Sequence, residues 1–489
     1  MYTERLNSVA KEKRSVSVGG SSRINLGRRA FGYASSDYHT NTMLRSVLRF
    51  THSDEMACCG FVFAATMYHI WPGSIIGVAV LLVNIVLMMR FPALLIWIAT
   101  YGYLVHTVLV PDDTRIVFSI PIVMSLLIGR KHSVDRSSRL IIKPIVIVLC
   151  CALGMAILLS ETADPTIGKT EGRFVLRLIN IGIALLVARS IKSEHDRRLS
   201  LYALSVSSIC VTLFLSWHMV ISGAGSLYRL LYERKIGDSD PNYLALYLCI
   251  GLGPLFAISA CNATKKWISS VLHLMFGLVV SWGVVLTSSR MGSLLIGANL
   301  GVAIMRFHKS KFVSVLILLG LAVAFIFFVF PLLENVPQFS ALNERWTSAD
   351  ALTGGGRAGI FTSALEAFGR VSPVQALFGG GTEANYVMLK GTNTHNSYLE
   401  FLLDHGLLGM GLLVVILFVA LMNIWHTLSL PHSSSMWAIW LSLVVASFAL
   451  SPFVYSWAWV ALAPLLVSPA NPTQIDTGMR SKDRFPVRR

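Results

Sequence analysis

Charge is what this chain has least of. Of its 489 residues only 13% are Asp, Glu, Lys or Arg, where a soluble protein of this length carries about twice that fraction. That scarcity argues against a water-soluble enzyme. Strict alternation of apolar and polar residues is missing too, which argues against a membrane β-barrel. No CxxC, HExxH or similar metal-ligand spacing occurs, so no metal centre is implied. The seven cysteines (Cys58, Cys59, Cys150, Cys151, Cys210, Cys249 and Cys261) lie in or beside apolar stretches, and none falls in the one long polar segment. No disulfide framework follows from them, and packing is their expected role. Internal repeats and low-complexity segments are also lacking.

What is present is hydrocarbon. Mean hydropathy is +0.64, and apolar runs near the ~20 residues that a helix needs to cross a bilayer recur along the chain. The fold class read from this is all-α: a polytopic membrane bundle of 12–14 transmembrane helices. Candidate spans fall at about 56–70, 73–89, 91–110, 115–129, 144–160, 173–189, 199–222, 242–261, 267–286, 291–306, 312–331, 398–422, 436–450 and 453–468. Some are short, and the pairs at both chain ends read equally well as re-entrant or merged, which gives twelve. The organisation expected is a basic, disordered cytoplasmic tail over 1–55, a transmembrane bundle over 56–331, a periplasmic loop over 332–397, C-terminal transmembrane helices over 398–468 and a cytoplasmic tail over 469–489.

The formal net charge is +16. It reads as topology rather than nucleic-acid binding, because the basic residues sit between apolar runs and not on one patch. Starting from a cytoplasmic N-terminus, the segments placed inside hold 29 of the 41 lysines and arginines. The loop 423–435 holds none, so counting alone places it inside. The same phase puts 332–397 outside, and a polar insertion of that length is usually functional. Within it, Ile360, Phe361, Ala364, Leu365 and Phe368 share one helical face, which predicts an amphipathic helix over about 358–369 lying against the membrane or the bundle.

Three positions on the outward face could carry chemistry. Arg290, in "LTSSRMGSLL", stands between two apolar spans with almost no loop around it. An arginine so close to hydrocarbon either lines a cavity and binds an anion or snorkels to fix a turn. In "TGGGRAG", Gly355 and Gly356 allow close approach of a ligand, and the following helix start with Arg357 suits phosphate; the plain alternative is a flexible loop. His395 follows Asn393 and Thr394. If either caps the helix, His395 lies in its first turn, where the positive helix end keeps imidazole neutral and able to accept a proton from a hydroxyl. The alternative is a polar cap at the membrane boundary. Asn396 could orient a sugar or a phosphate, and Asn242, in "GDSDPNYLALYL", belongs to a polar turn opening another span from the same side. Two arginines, a glycine-rich helix start and a histidine suit a diphosphate leaving group and a hydroxyl nucleophile, with no cofactor.

The segments "DPNYLALYL", "SSRMGSLL", "GGGRAGIFTSALEAF", "LFGGGTEANY" and "THNSYLEFLLDHGLLGMG" together resemble the motif order of the O-antigen ligase and polysaccharide polymerase family. The resemblance covers about 237–411. It implies a bacterial inner-membrane glycosyltransferase, metal-independent, that takes a glycan from undecaprenyl diphosphate at the periplasmic face and inverts the anomeric carbon. By the same resemblance, Arg290 and Arg357 contact the diphosphate and His395 is the base or a positioning group. Phe361 stands where the family often has tryptophan, and the N-terminal tail is longer than the family's usual one. A polymerase of exopolysaccharide or O-antigen repeat units is the first reading, with a glycan or lipid-linked acceptor, membrane lipids around it, and a flippase and a chain-length regulator as partner proteins. A ligase acting on lipid A-core uses the same chemistry. A lipid-linked sugar transporter is the alternative of another class; against it, Arg177, His218 and His273 have no acidic residue beside them and no duplicated halves are visible.

Overall fold

The computed structural model describes residues 181–222 with gaps between 183 and 193, 241–262, 267–307, 357–428 except 382, and 432–467 except 455. The tails 1–55 and 469–489, the expected spans before 181 and over 312–331, and Gly355 and Gly356 lie outside the described residues. Those described contain helix and no strand. In chain order they form α1 (Glu194–Ser222), α2 (Pro241–Asn262), α3 (Trp267–Leu286), α4 (Arg290–Phe307), α5 (Arg357–Gly369), α6 (Pro373–Phe378), α7 (Ala384–Met388), α8 (Ser397–His426), α9 (Ser433–Ser447) and α10 (Ser456–Leu462). Single turns of 3₁₀-helix at Pro452–Val454 and Ala463–Leu465 flank α10.

Long-range hydrogen bonds order the helix ends. Ser289 Oγ, before α4, donates to Asn242 Oδ1 at the start of α2 (2.9 Å). Tyr243 on α2 accepts from the N–H of Ser451, beyond α9 (3.0 Å). Ser397, opening α8, donates its N–H to Leu450 O (3.0 Å). The starts of α2, α4 and α8 and the end of α9 therefore share one end of the bundle, termed the site end. At the opposite end, Arg197 near the start of α1 donates to Val467 O (2.7 Å), and Asn423 near the end of α8 donates to Leu465 O (3.2 Å).

These contacts correct one expected span. The stretch over 453–468 is not one continuous helix. It runs from Ser451 at the site end to Val467 at the other end through α10, only seven residues long, and the two 3₁₀ turns. Pro452 and Pro464 lie in these 3₁₀ turns and bring no N–H to α-helical bonding. Protein surrounds this irregular backbone: Trp457, Trp459 and Ala458–Leu465 are buried.

Small residues and polar contacts let the helices approach closely, a pattern also common where helices meet in lipid. Gly251 of α2 faces Ser208 of α1, and a Cβ on Gly253 would stand 2.7 Å from Asn299 Oδ1 of α4. Asn299 Nδ2 donates to Cys249 O (3.1 Å) and to Ser442 Oγ of α9 (3.3 Å), tying three helices together. Beside Pro254 inside α2, the carbonyl of Gly251 accepts from Ser205 Oγ at 2.9 Å. The outer faces are apolar: Leu213, Trp217, Met275, Leu278, Phe418 and Trp425 are all exposed. Among the described residues, Ser200–Trp217 and Ser397–His426 are long and apolar enough to cross a membrane, and Pro241–Ala257, Ser270–Leu286 and Ser433–Ser447 are shorter apolar helices.

Candidate active site

The three-residue turn between α3 and α4 is built from hydroxyls. Thr287 Oγ1 donates to Val284 O (2.6 Å) and accepts from the N–H of Ser289 (3.3 Å). Ser289 Oγ accepts from the N–H of Gly292 (3.2 Å), which caps α4,. Thr287, Ser288 and Ser289 are buried, and Ser288 takes a left-handed φ of 50°. Arg290 is therefore the first helical residue of α4, half-buried, on a rigid turn bonded to Asn242. A cation at a helix start opposes the macrodipole. That arrangement is favourable when an anion joins the free N–H groups and the guanidinium.

Arg357 stands in the same relation to α5, as its first residue. The expected amphipathic helix is present over Arg357–Gly369. It packs against α7 and α8. Ala364 is buried, Ile360, Phe361 and Phe368 are half-buried, and Leu365 points outward at 56% exposure.

His395 departs from its expected place. The cap of α8 is Asn396, not Asn393 or Thr394, so His395 precedes the helix rather than lying in its first turn. Its φ of 46° puts it in the left-handed region, rarely used by residues with a Cβ and held only where neighbours enforce it. Those neighbours can be named. Thr394 Oγ1 donates to Asn396 O (3.2 Å). Asn396 Oδ1 accepts from the N–H of Leu399 (3.0 Å), and its Nδ2 donates to Phe448 O beyond α9 (3.0 Å). Both ends of the Asn396 amide are thus engaged by the fold, and its side chain is buried. In this structure the Asn396 side chain caps α8 and ties it to the turn beyond α9.

Sequence reasoning passed over Asp404, Asn385 and Gly406. Asp404 is fully buried on α8 and bonds to the start of α7. Gly406 breaks α8 with φ 67° and ψ −168°. The signal for the acid was visible: a carboxylate inside an apolar helix needs specific partners, and α8 buries two, Glu400 and Asp404.

Asn242, the Arg290 turn and the segment carrying His395 thus come to one end of the bundle, while Arg357 opens α5, which packs on α7 and α8. Residues 274–414 match the family model described as O-antigen ligase. That stretch, less than a third of the chain, is similar to the O-antigen ligase family. The match spans Arg290, Arg357, His395 and Asp404, while Asn242 lies before it. The family is membrane-embedded, and it supports an O-antigen ligase or related polymerase activity in polysaccharide biosynthesis, on lipid-linked glycan. No curated protein matches the chain significantly.

Proposed function

We propose that the chain is a polytopic membrane glycosyltransferase that moves a glycan from undecaprenyl diphosphate to a sugar hydroxyl at the periplasmic face of the bacterial inner membrane. The observation that carries this reading is the set of hydrogen bonds that gathers Asn242, Arg290 and His395 at the site end. The orientation is supported by charge: Arg197 and Arg198 near the start of α1 and Arg306 in the last turn of α4 belong to the opposite end, as expected of a cytoplasmic face.

In the proposed reaction, the acceptor oxygen attacks the anomeric carbon, and the bond from that carbon to the phosphate oxygen breaks. The electron pair leaves with undecaprenyl diphosphate, whose charge Arg290 and Arg357 hold. The acceptor's proton passes to the His395 imidazole, and the configuration inverts. The backbone N–H groups that follow Gly355 and Gly356 add to the diphosphate cradle, and Asn242 fixes the Arg290 turn through Ser289. Positioning two bound substrates supplies several kcal/mol of the barrier, and fixed charges on the leaving group add a few more. The energy comes from the lipid-linked donor, so no cofactor is required.

Repeat-unit polymerisation is the first reading. The description of the matching family, O-antigen ligase, supports the alternative, for which the proposed acceptor is lipid A-core. Reconstitution of the purified chain in vesicles with a lipid-linked repeat unit tests both. Multimers from the repeat unit alone support polymerase, and product only after lipid A-core is added supports ligase. No glycosidic product with either acceptor would refute the proposal.

A further inference from the structure

Helix α7 begins without a cap of its own. Glu383, at its N-cap position, has φ 72° and makes no side-chain cap bond, yet first-turn N–H groups need acceptors. Asp404, on α8, supplies them from a distance in sequence. Its Oδ2 accepts from the N–H of Glu383 (3.1 Å). Its Oδ1 accepts from the N–H of Asn385 (2.8 Å) and from Asn385 Nδ2 (2.9 Å). A carboxylate at a helix start is favoured by the dipole as well as by the bonds.

The main chain of α8 joins in. Leu403 O accepts from the N–H of Gly380 (2.9 Å) and Asp404 O from that of Gly381 (3.1 Å), just before the break at Gly406. The two backbones approach so closely that a Cβ on Gly406 would stand 2.5 Å from Gly379 N. Residues 383–396 thus form a loop tied to α8 twice, by Asp404 where it starts and by the Asn396 cap where it ends. His395 is the last residue before the second tie.

Resting on the glycosyl-transfer reading, we infer that Asp404 is a positioning residue for that reaction: it fixes the loop whose far end holds His395 in its left-handed conformation. The carboxylate touches no reacting atom in this assignment. It acts through the loop, and its loss slows the chemical step rather than weakening donor binding.

The test uses the full chain in vesicles with the lipid-linked repeat unit, measuring kcat, donor KM and the thermal midpoint. Asp404→Asn keeps the size of the side chain but turns an N–H donor toward another donor. The expected result is a kcat fall of about tenfold or more with KM held within about threefold, since misplacing a reacting group costs rate. Asn385→Asp alone sets two carboxylates together and also lowers kcat. The double variant Asp404→Asn/Asn385→Asp restores a carboxylate–amide pair and recovers part of the rate, which a merely structural lesion would not do. If Asp404→Asn fails to fold, Asn385→Ala decides, because it removes one donor and leaves the carboxylate on its backbone partners; a lower kcat at constant KM is then expected. Wild-type kcat in the folded variants, or a rate loss that only follows the amount of folded protein, would overturn the inference while an active wild type keeps the reading intact. A wild type that forms no product removes the reading and this inference with it.

Discussion

Helix α8 contains two regions with the same helical backbone and opposite surroundings. Nine residues precede the break at Gly406 and twenty follow it. In the first region Ser397, Glu400–Leu403, Asp404 and His405 are all buried, enclosed by α5–α7 and the turn after α9. In the second, burial follows one stripe, Gly409, Leu413, Ile416, Leu417, Ala420 and Ile424, while Leu407, Val414, Val415, Phe418, Met422 and Trp425 are exposed. Exposed apolar side chains over twenty residues, about 30 Å of helix, match a hydrocarbon surround. Enclosed Asp and Glu match a polypeptide surround. On the membrane reading proposed above, the break at Gly406 is where the helix changes solvent, and the proposed chemistry belongs to the enclosed side.

That contrast can be broken or sharpened by substitution. The largest effect is expected above the break. His395→Ala and Arg290→Ala should each lower product formation by about 100-fold or more, the scale of a lost proton acceptor or charge clamp, while the protein stays inserted. Full-length variant in membranes with normal long-chain glycan on a gel would defeat the roles proposed. Next comes the lipid-facing stripe. Phe418→Lys should cost about 2.5–3.5 kcal/mol of insertion, read as loss of membrane-integrated protein; a shift below about 0.5 kcal/mol would mark an ordinary wet surface. At the boundary, Gly406→Ala forces a Cβ toward Leu377 O and Gly379 N at a positive φ, and should cost about 1–3 kcal/mol in thermal unfolding. The smallest expected effect is Arg357→Lys, about tenfold in kcat/KM, because a point charge replaces a planar fork. An unchanged rate would demote Arg357 to a loop residue.

Much of the bundle was legible in the residues. The span expected at 267–286 coincides with α3, because Lys265–Lys266 and the Thr-Ser-Ser-Arg turn punctuate both ends of an apolar run. Helix α5 was legible from its apolar face alone. The stretch over 453–468 was not, because hydropathy registers its Trp, Ala and Leu and takes no account of Pro452 and Pro464. His395 was misplaced for a different reason. Asn393, Thr394 and Asn396 are all good caps, and the choice among them is made by carbonyls at Phe448 and Leu450, just beyond α9. Asp404 was passed over: it is a charge in an apolar run, but its partners lie 19 and 21 positions upstream, beyond any local pattern.

The central claim is that the layer holding Arg290 and His395 faces away from the cytoplasm. It is tested most directly by attaching a membrane-impermeant thiol reagent to single cysteines in an otherwise cysteine-free chain. Asn393 and Arg306 are both exposed and belong to opposite ends. Asn393→Cys should label in cells whose inner membrane is intact, and Arg306→Cys only after that membrane is opened. The reverse pattern would put the arginines and the histidine on the cytoplasmic side and contradict the account.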